Sequence, residues 1–295
     1  MTIPVPTPPS PYRSFWTDLM DTEFRQGWID VGGIRTRYAQ AGSPDRPAVV
    51  MVHGTAGSWE TFSATLAAHS KQFNCYALDL MGSGLSDKPD QPYHIADYVA
   101  HVAAFMDAVG VQRASLIGVS LGSWVSARFA IDHPQRSDRL VLIASAGLYS
   151  DPASMQRIRS QRGSAVEDPS WENVSGVFDR LILDPKNRIP DLVAVRQRIY
   201  QLPEMPQAMR NILVLQDPQQ RDRNVIREDQ WRRLQAPTLL IGAVDADDIY
   251  LKTAKALAEI LPDATYREMR GVSHWPHFED PAVFNPISLA FLNAL

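Results

Sequence analysis

Ser120 stands between two glycines in Gly118-Val119-Ser120-Leu121-Gly122, immediately after the apolar run Ala114 to Ile117 and before a helix-like stretch that ends near His133-Pro134. A residue between a strand and a helix occupies a sharp, strained turn, and glycines two positions away let neighbouring backbone pass without Cβ clashes. Such a turn lifts the hydroxyl out of the sheet edge, where it can serve as a nucleophile; the plainer reading is a structural turn serine. A hydroxyl attacks a carbonyl only if a base takes its proton. Among the 7 histidines, His274 is best placed, in Gly271-Val272-Ser273-His274-Trp275 just beyond the run Ala264 to Met269. His277 is its nearest rival, although it precedes Glu279-Asp280 and suits the approach to a final helix. His53 reads as part of a His-Gly turn, and His69, His94, His101 and His133 as surface or helix residues.

The imidazole in turn needs a carboxylate to hold its tautomer and stabilise its charged form. Asp245 follows the run Thr238 to Gly242 by three residues and lies 29 residues before His274. Asp247 and Asp248 compete with it, and each could be a solvated turn residue. The developing oxyanion calls for two aimed N–H donors. Leu121, directly after the nucleophile, supplies one; Thr55 is chosen over Ala56 for the other, in His53-Gly54-Thr55-Ala56-Gly57 after the run Ala48 to Val52. The glycine-rich stretch Asp79 to Asp87 fits no phosphate-binding pattern and reads as a structural loop. His274 and His277 make a poor metal pair, with Pro276 between them and no third ligand, so no metal and no cofactor are expected.

These groups must be carried by strands and helices that converge. Trp28 to Val31 and Ile34 to Ala41 flank Gly32-Gly33, which suits a tight hairpin. Five short apolar runs follow, Ala48 to Val52, Cys75 to Leu80, Ala114 to Val119, Leu140 to Ala144 and Thr238 to Gly242, with the look of strands buried on both faces. Between them lie helical patterns such as Ile95 to Val109, which aligns Tyr98, Val102, Phe105 and Val109 and stops at Gly110. Alternation of this kind implies a mostly parallel, doubly wound α/β sheet. From about Asp151 to Gln235 the alternation stops, with Asp168-Pro169, Asp184-Pro185 and Asp217-Pro218 as punctuation. The expected organisation is therefore a core of 1–150 and 236–295 and a helical cap of 151–235 over the sheet's carboxyl edge.

Composition narrows the partners. Lys plus Arg number 29 against 33 Asp plus Glu, a net charge of −4 without long single-sign runs, which disfavours nucleic acid. The single cysteine, Cys75, excludes a disulfide framework and is expected to pack as a small hydrophobe. No stretch approaches the roughly 20 apolar residues of a membrane span. Met1 to Pro11 carries five prolines and no secretory pattern, so a cytoplasmic protein acting on a small molecule is expected. A homo-oligomer is compatible with all of this.

Taken together, the His53-Gly54 turn, Asp79 to Pro89, the GVSLG segment and the GVSHW segment resemble the α/β-hydrolase superfamily over almost the whole chain, including its Ser, Asp, His order. Relatives with an aspartate nucleophile, such as epoxide hydrolases, are set apart by Ser120. A closer likeness is to the meta-cleavage product hydrolases, which cut a carbon–carbon bond in ring-fission products of aromatic degradation. It is carried by His274-Trp275, Phe278-Glu279-Asp280-Pro281, Phe284-Asn285, Val195-Arg196-Gln197-Arg198-Ile199-Tyr200 and Met209-Arg210-Asn211-Ile212. That likeness implies that Arg196 grips the substrate's carboxylate end, that Trp275 lines the pocket, and that Val119 and Gly54 beside the nucleophile also contact substrate. It implies ketonisation of a dienol before cleavage, which creates the electron sink for a carbon leaving group. Two departures stand out: Val119 replaces the family's asparagine, and Thr55-Ala56 a glycine-richer loop. The alternatives are a carboxylesterase or lactone hydrolase on a small hydrophobic ester, or a non-catalytic ligand receptor on the same scaffold. Arg196 could instead be a surface residue paired with Asp191 or Glu204. Ile158, Trp171, Phe178, Leu181 and Ile182 suggest a hydrophobic pocket or the cap's own core.

Overall fold

The computed structural model describes residues 13–294, so the proline-rich start lies outside the described residues. Eight strands, β1 (Phe24–Val31), β2 (Ile34–Ala41), β3 (Ala48–Val52), β4 (Asn74–Leu78), β5 (Ala114–Val119), β6 (Ser137–Ile143), β7 (Thr238–Ala243) and β8 (Ala264–Met269), form one sheet in the order β1-β2-β4-β3-β5-β6-β7-β8. Only the pairs β1·β2 and β2·β4 are antiparallel; the other five run parallel. Gly32 and Gly33 turn the first hairpin with φ of 62° and 87°, a left-handed pair that side chains would strain.

The continuous apolar runs lie at the centre. β3, β4 and β5 are buried almost throughout, because helices cover both faces, whereas the edge strand β8 is largely half-buried or exposed. The Ile95–Ala108 helix buries Tyr98, Val102 and Phe105 as its periodicity predicts, and ends before Gly110 at φ 75°. Cys75 is buried, and the loss of solvent pushes its thiol pKa up.

Between β6 and β7 the described chain contains no strand. It runs through helices Pro152–Glu167, Trp171–Gly176, Pro190–Tyr200, Met205–Ile212, Pro218–Asn224 and Glu228–Trp231. Three aspartate-proline pairs open helical turns here: Asp151, Asp184 and Asp217 each accept backbone N–H groups with a proline at the next position. Phe178 and Ile182 are fully buried and Trp171 is 48% exposed, so these three belong to the segment's own packing and surface. Among the described residues no helix is long and apolar enough to cross a membrane.

Candidate active site

The β5 strand delivers Ser120 to the carboxyl edge, and the Leu121–Asp132 helix begins at the next residue. Ser120 has φ 55° and ψ −114°, a left-handed conformation that an L residue adopts only under constraint. Both flanking glycines are sterically required: a Cβ on Gly118 would overlap the Gly122 carbonyl, and one on Gly122 the Val52 carbonyl. The elbow therefore packs directly on the end of β3.

The loop after β3 is held from behind. His53 is fully buried, donates from Nδ1 to the Gly54 carbonyl at 2.7 Å, and accepts at Nε2 from Leu80 N–H at 3.0 Å. Burial lowers its pKa to about 4, so it is a neutral structural bracket. Asp79, also fully buried, accepts from Trp59 N–H (2.8 Å), Leu85 N–H (2.8 Å) and Arg37 Nε (2.5 Å). The glycine-rich stretch from Asp79 is thus a hydrogen-bonded support for the loop beside the serine. Gly54 approaches Ser120 so closely that an added Cβ would lie 3.3 Å from the serine Cβ.

A cleft of about 460 Å³ opens above this edge, lined by Gly54, Thr55, Ser120, His274 and Trp275 together with residues from the inserted helices. Ile158 and Leu181 line it too. His274 is 8% exposed, and burial lowers its pKa, with the Asp248 carboxylate opposing and the Arg162 and Arg157 guanidiniums adding to the shift. A neutral imidazole is the form able to accept a proton. Two carboxylates hold its loop: Gly271 N–H donates to Asp245 Oδ2 at 2.7 Å, and Ser273 N–H to Glu279 Oε1 at 2.6 Å. Glu279 also accepts from Leu183 N–H at 2.6 Å, which ties the histidine loop to the inserted segment.

Not every expected group converges. Among the described residues no hydrogen bond joins His274 to Ser120 or to Asp245. Asp245 is exposed and outside the cleft lining, whereas Asp247 and Asp248 are within it. Asp248 caps the Ile249–Ile260 helix through Tyr250 N–H (2.9 Å) and Leu251 N–H (3.0 Å). Val119 is fully buried against Gly54 and does not line the cleft. Leu121 lines a small adjoining pocket that also reaches Ser120 and Thr55. Ala56 has φ 51° and is buried, leaving Thr55 as the residue facing the cleft. Arg196 is no surface residue: at 2% exposure it packs over Phe178 and Tyr200, behind the cleft lining. The histidines also differ from expectation, since His69 and His101 lie on helices but are buried and hydrogen-bonded. His277 lies in a short helix before the last one, buried against Phe62.

Two cleft residues escaped the sequence reading. Tyr250 sets its ring edge-on to His274 at 4.3 Å between centroids, and its hydroxyl lies beside Ser120. Arg162 is buried on the Pro152–Glu167 helix in line with Met155, Ile158, Ala165 and Val166. An arginine on an otherwise apolar helical stripe was the available signal. Among the described residues there is no group of three or more His, Cys, Asp or Glu that could hold a metal.

Residues 47–281 match the family model for the α/β-hydrolase fold. A stretch of 130 residues is 33% identical to an uncharacterised protein of Mycobacterium bovis, covering 44% of this chain and only 38% of that protein. A longer match, 26% identical over 272 residues, covers 89% of this chain and 94% of a 2-hydroxy-6-oxo-2,4-heptadienoate hydrolase from Pseudomonas putida. The crystal structure of a 2-hydroxy-6-oxo-6-phenylhexa-2,4-dienoate hydrolase from a Rhodococcus strain superposes with a TM-score of 0.82 at 22% identity. That superposition covers 92% of this chain and all (100%) of the other.

Proposed function

The chain belongs to the α/β-hydrolase family, and from that premise we propose that it is a serine hydrolase cleaving the carbon–carbon bond of a 2-hydroxy-6-oxo-2,4-dienoate. The observation that carries the reading is the left-handed Ser120 turn facing one cleft with a buried, neutral His274 and with Arg157, Arg162 and Arg180 in its lining. Relatives named as a 2-hydroxy-6-oxo-2,4-heptadienoate hydrolase and a 2-hydroxy-6-oxo-6-(2'-aminophenyl)hexa-2,4-dienoic acid hydrolase support the substrate class.

In this reading His274 takes the Ser120 proton as the oxygen adds to the ketone carbonyl, after the dienol has become its keto tautomer. The N–H groups of Leu121 and Thr55 receive the oxyanion. Collapse breaks the carbon–carbon bond, the electron pair passes into the conjugated keto acid, and the imidazolium returns its proton there. Water, deprotonated by His274, then frees the acyl group from Ser120. Asp245 is the acid behind the histidine. It sits on the turn after β7, next to the β8 exit, and with Oδ2 taken by Gly271 N–H its other oxygen remains for the imidazole. Asp248 already has a structural duty as a helix cap.

The test is a panel of yellow ring-fission dienoates with wild type and Ser120→Ala. Bleaching with at least one dienoate, lost by about 10⁴-fold or more in Ser120→Ala, is the expected result. Absence of bleaching across the panel, with turnover of simple esters or lactones, would replace this reading by the esterase one. No reaction of Ser120 with a fluorophosphonate would leave a ligand receptor.

A further inference from the structure

Three arginines of the inserted helices, Arg162, Arg196 and Arg221, are buried without an ion pair among the described residues, and only Arg221 is met by several neutral acceptors, the Ser150 hydroxyl and the Leu215 and Tyr149 carbonyls. Arg162 is 6% exposed and Arg196 2%, and no ion pair within 4.0 Å involves either of them among the described residues. Arg196 Nη1 donates to the Tyr200 hydroxyl at 3.3 Å, one helical turn along the Pro190–Tyr200 helix. The Arg162 guanidinium acts electrostatically on the same phenol. Burial would raise its pKa, but the two guanidiniums outweigh that and lower it. Arg162 Nη1 has no hydrogen-bond partner although it is shut off from solvent. The arginine lines the cleft that holds Ser120 and His274.

A buried guanidinium with an unfilled donor is expensive unless an anion enters with the ligand. A planar carboxylate is the natural match, since the guanidinium fork offers two parallel donors at its spacing. We propose that the Arg162 guanidinium forms the seat for a substrate carboxylate, with Tyr200 and Arg196 acting from behind it. This rests on the hydrolase reading above and amends one part of it: the arginine that touches the acid end is Arg162, and Arg196 is a positioning residue. The substrate therefore carries a carboxylate that fits together with the reacting carbonyl in a cleft of about 460 Å³.

The probe is benzoate, with benzamide as its uncharged counterpart, each competing with fluorophosphonate labelling of the full chain. Benzoate should slow labelling of the wild type at concentrations where benzamide does not. Arg162→Gln should weaken that protection at least about tenfold, as expected for a charge-assisted bond. Arg162→Lys should fall between the two, and Arg196→Gln should lose less than Arg162→Gln. Equal protection by the two probes on the wild type would overturn the proposal without any variant being needed. So would an unchanged Arg162→Gln, or a larger loss in Arg196→Gln. A chain that bleaches no dienoate yet shows benzoate-selective protection keeps this seat and loses the carbon–carbon reading, so the two failures are separable.

Discussion

Replacing Asp245 by asparagine is the sharpest perturbation of the proposed triad, because Asp245 is the proposed acid while the neighbouring Asp248 caps a helix and also acts on His274. Asparagine at 245 retains an oxygen for Gly271 N–H, now 2.7 Å from Asp245 Oδ2, so the loop carrying His274 keeps its anchor. What disappears is the negative charge that stabilises the imidazolium and selects its tautomer. A loss of about 10⁴-fold in kcat is expected from that change, or about 5 kcal/mol at 1.36 kcal/mol per decade. Asp248→Asn is the control. Asparagine caps helices about as well as aspartate, so the bonds to Tyr250 and Leu251 N–H survive and the helix loses little. Its charge does reach the imidazole and opposes the burial that lowers His274. Removing it should lower the imidazole pKa further and cost about tenfold or less in turnover. Both variants are compared by steady-state turnover of the best chromogenic substrate and by the rate of fluorophosphonate labelling, with circular dichroism to verify folding. A folded Asp248→Asn that loses more turnover than Asp245→Asn would refute the assignment and make Asp248 the acid.

Acidification should destabilise the fold through buried histidines that take no part in proton transfer. His53, His69 and His101 are buried with pKa values lowered by burial from 6.5 to about 4, so below pH 6.5 the unfolded chain binds protons that the folded chain refuses. The stability they permit is complete above 6.5 and declines as the pH falls toward 4, by roughly 2 kcal/mol per histidine at pH 5. Urea midpoints at pH 7.5 and 5 read this directly; equal midpoints would contradict it. Arg37→Met should cost about 3–5 kcal/mol in the same measurement, because it strands the buried carboxylates of Asp79 and Glu60, which Arg37 now pairs at 2.5 and 2.8 Å. Adding Glu60→Gln should recover part of that loss, and no recovery would argue against charge as its cause.

The sheet was readable from the sequence because its physics is local. Runs such as Ala114 to Val119 are apolar throughout, since helices cover both faces, and the Gly32-Gly33 pair leaves few turns to choose from. The Ser120 elbow was readable for the same reason: the glycines at 118 and 122 are demanded by backbone contacts within one strand, one turn and β3. The acid was harder. Asp245, Asp247 and Asp248 follow one strand within four positions, and Asp247 at φ 38° redirects the chain between the other two. No hydropathy pattern reports such a turn. Arg162 was missed because its place depends on which helix face the inserted segment turns to the sheet, and Tyr250 because its neighbours Ser120 and His274 come from distant parts of the chain. His101 reads as a helix residue, which it is, but its burial was not legible, since its partners, Thr36 and Met81 N–H, come from distant elements.

Two groups of buried arginine in this molecule obey the same electrostatics with opposite outcomes. Arg37 is enclosed by Asp79, Glu60 and Gln26, so its charge is met on several sides and the cluster can support the loop beside Ser120 in any state of the enzyme. Arg162 and Arg196 both act on the Tyr200 phenol and have no carboxylate partner among the described residues, although they lie just as deep. Desolvating a charge costs several kcal/mol unless partners repay it, so the first cluster is closed in the free protein and the second becomes complete only with an anion. The difference gives the cleft its direction. A substrate that brings its own carboxylate repays the buried arginines, and that binding energy fixes which carbonyl faces Ser120.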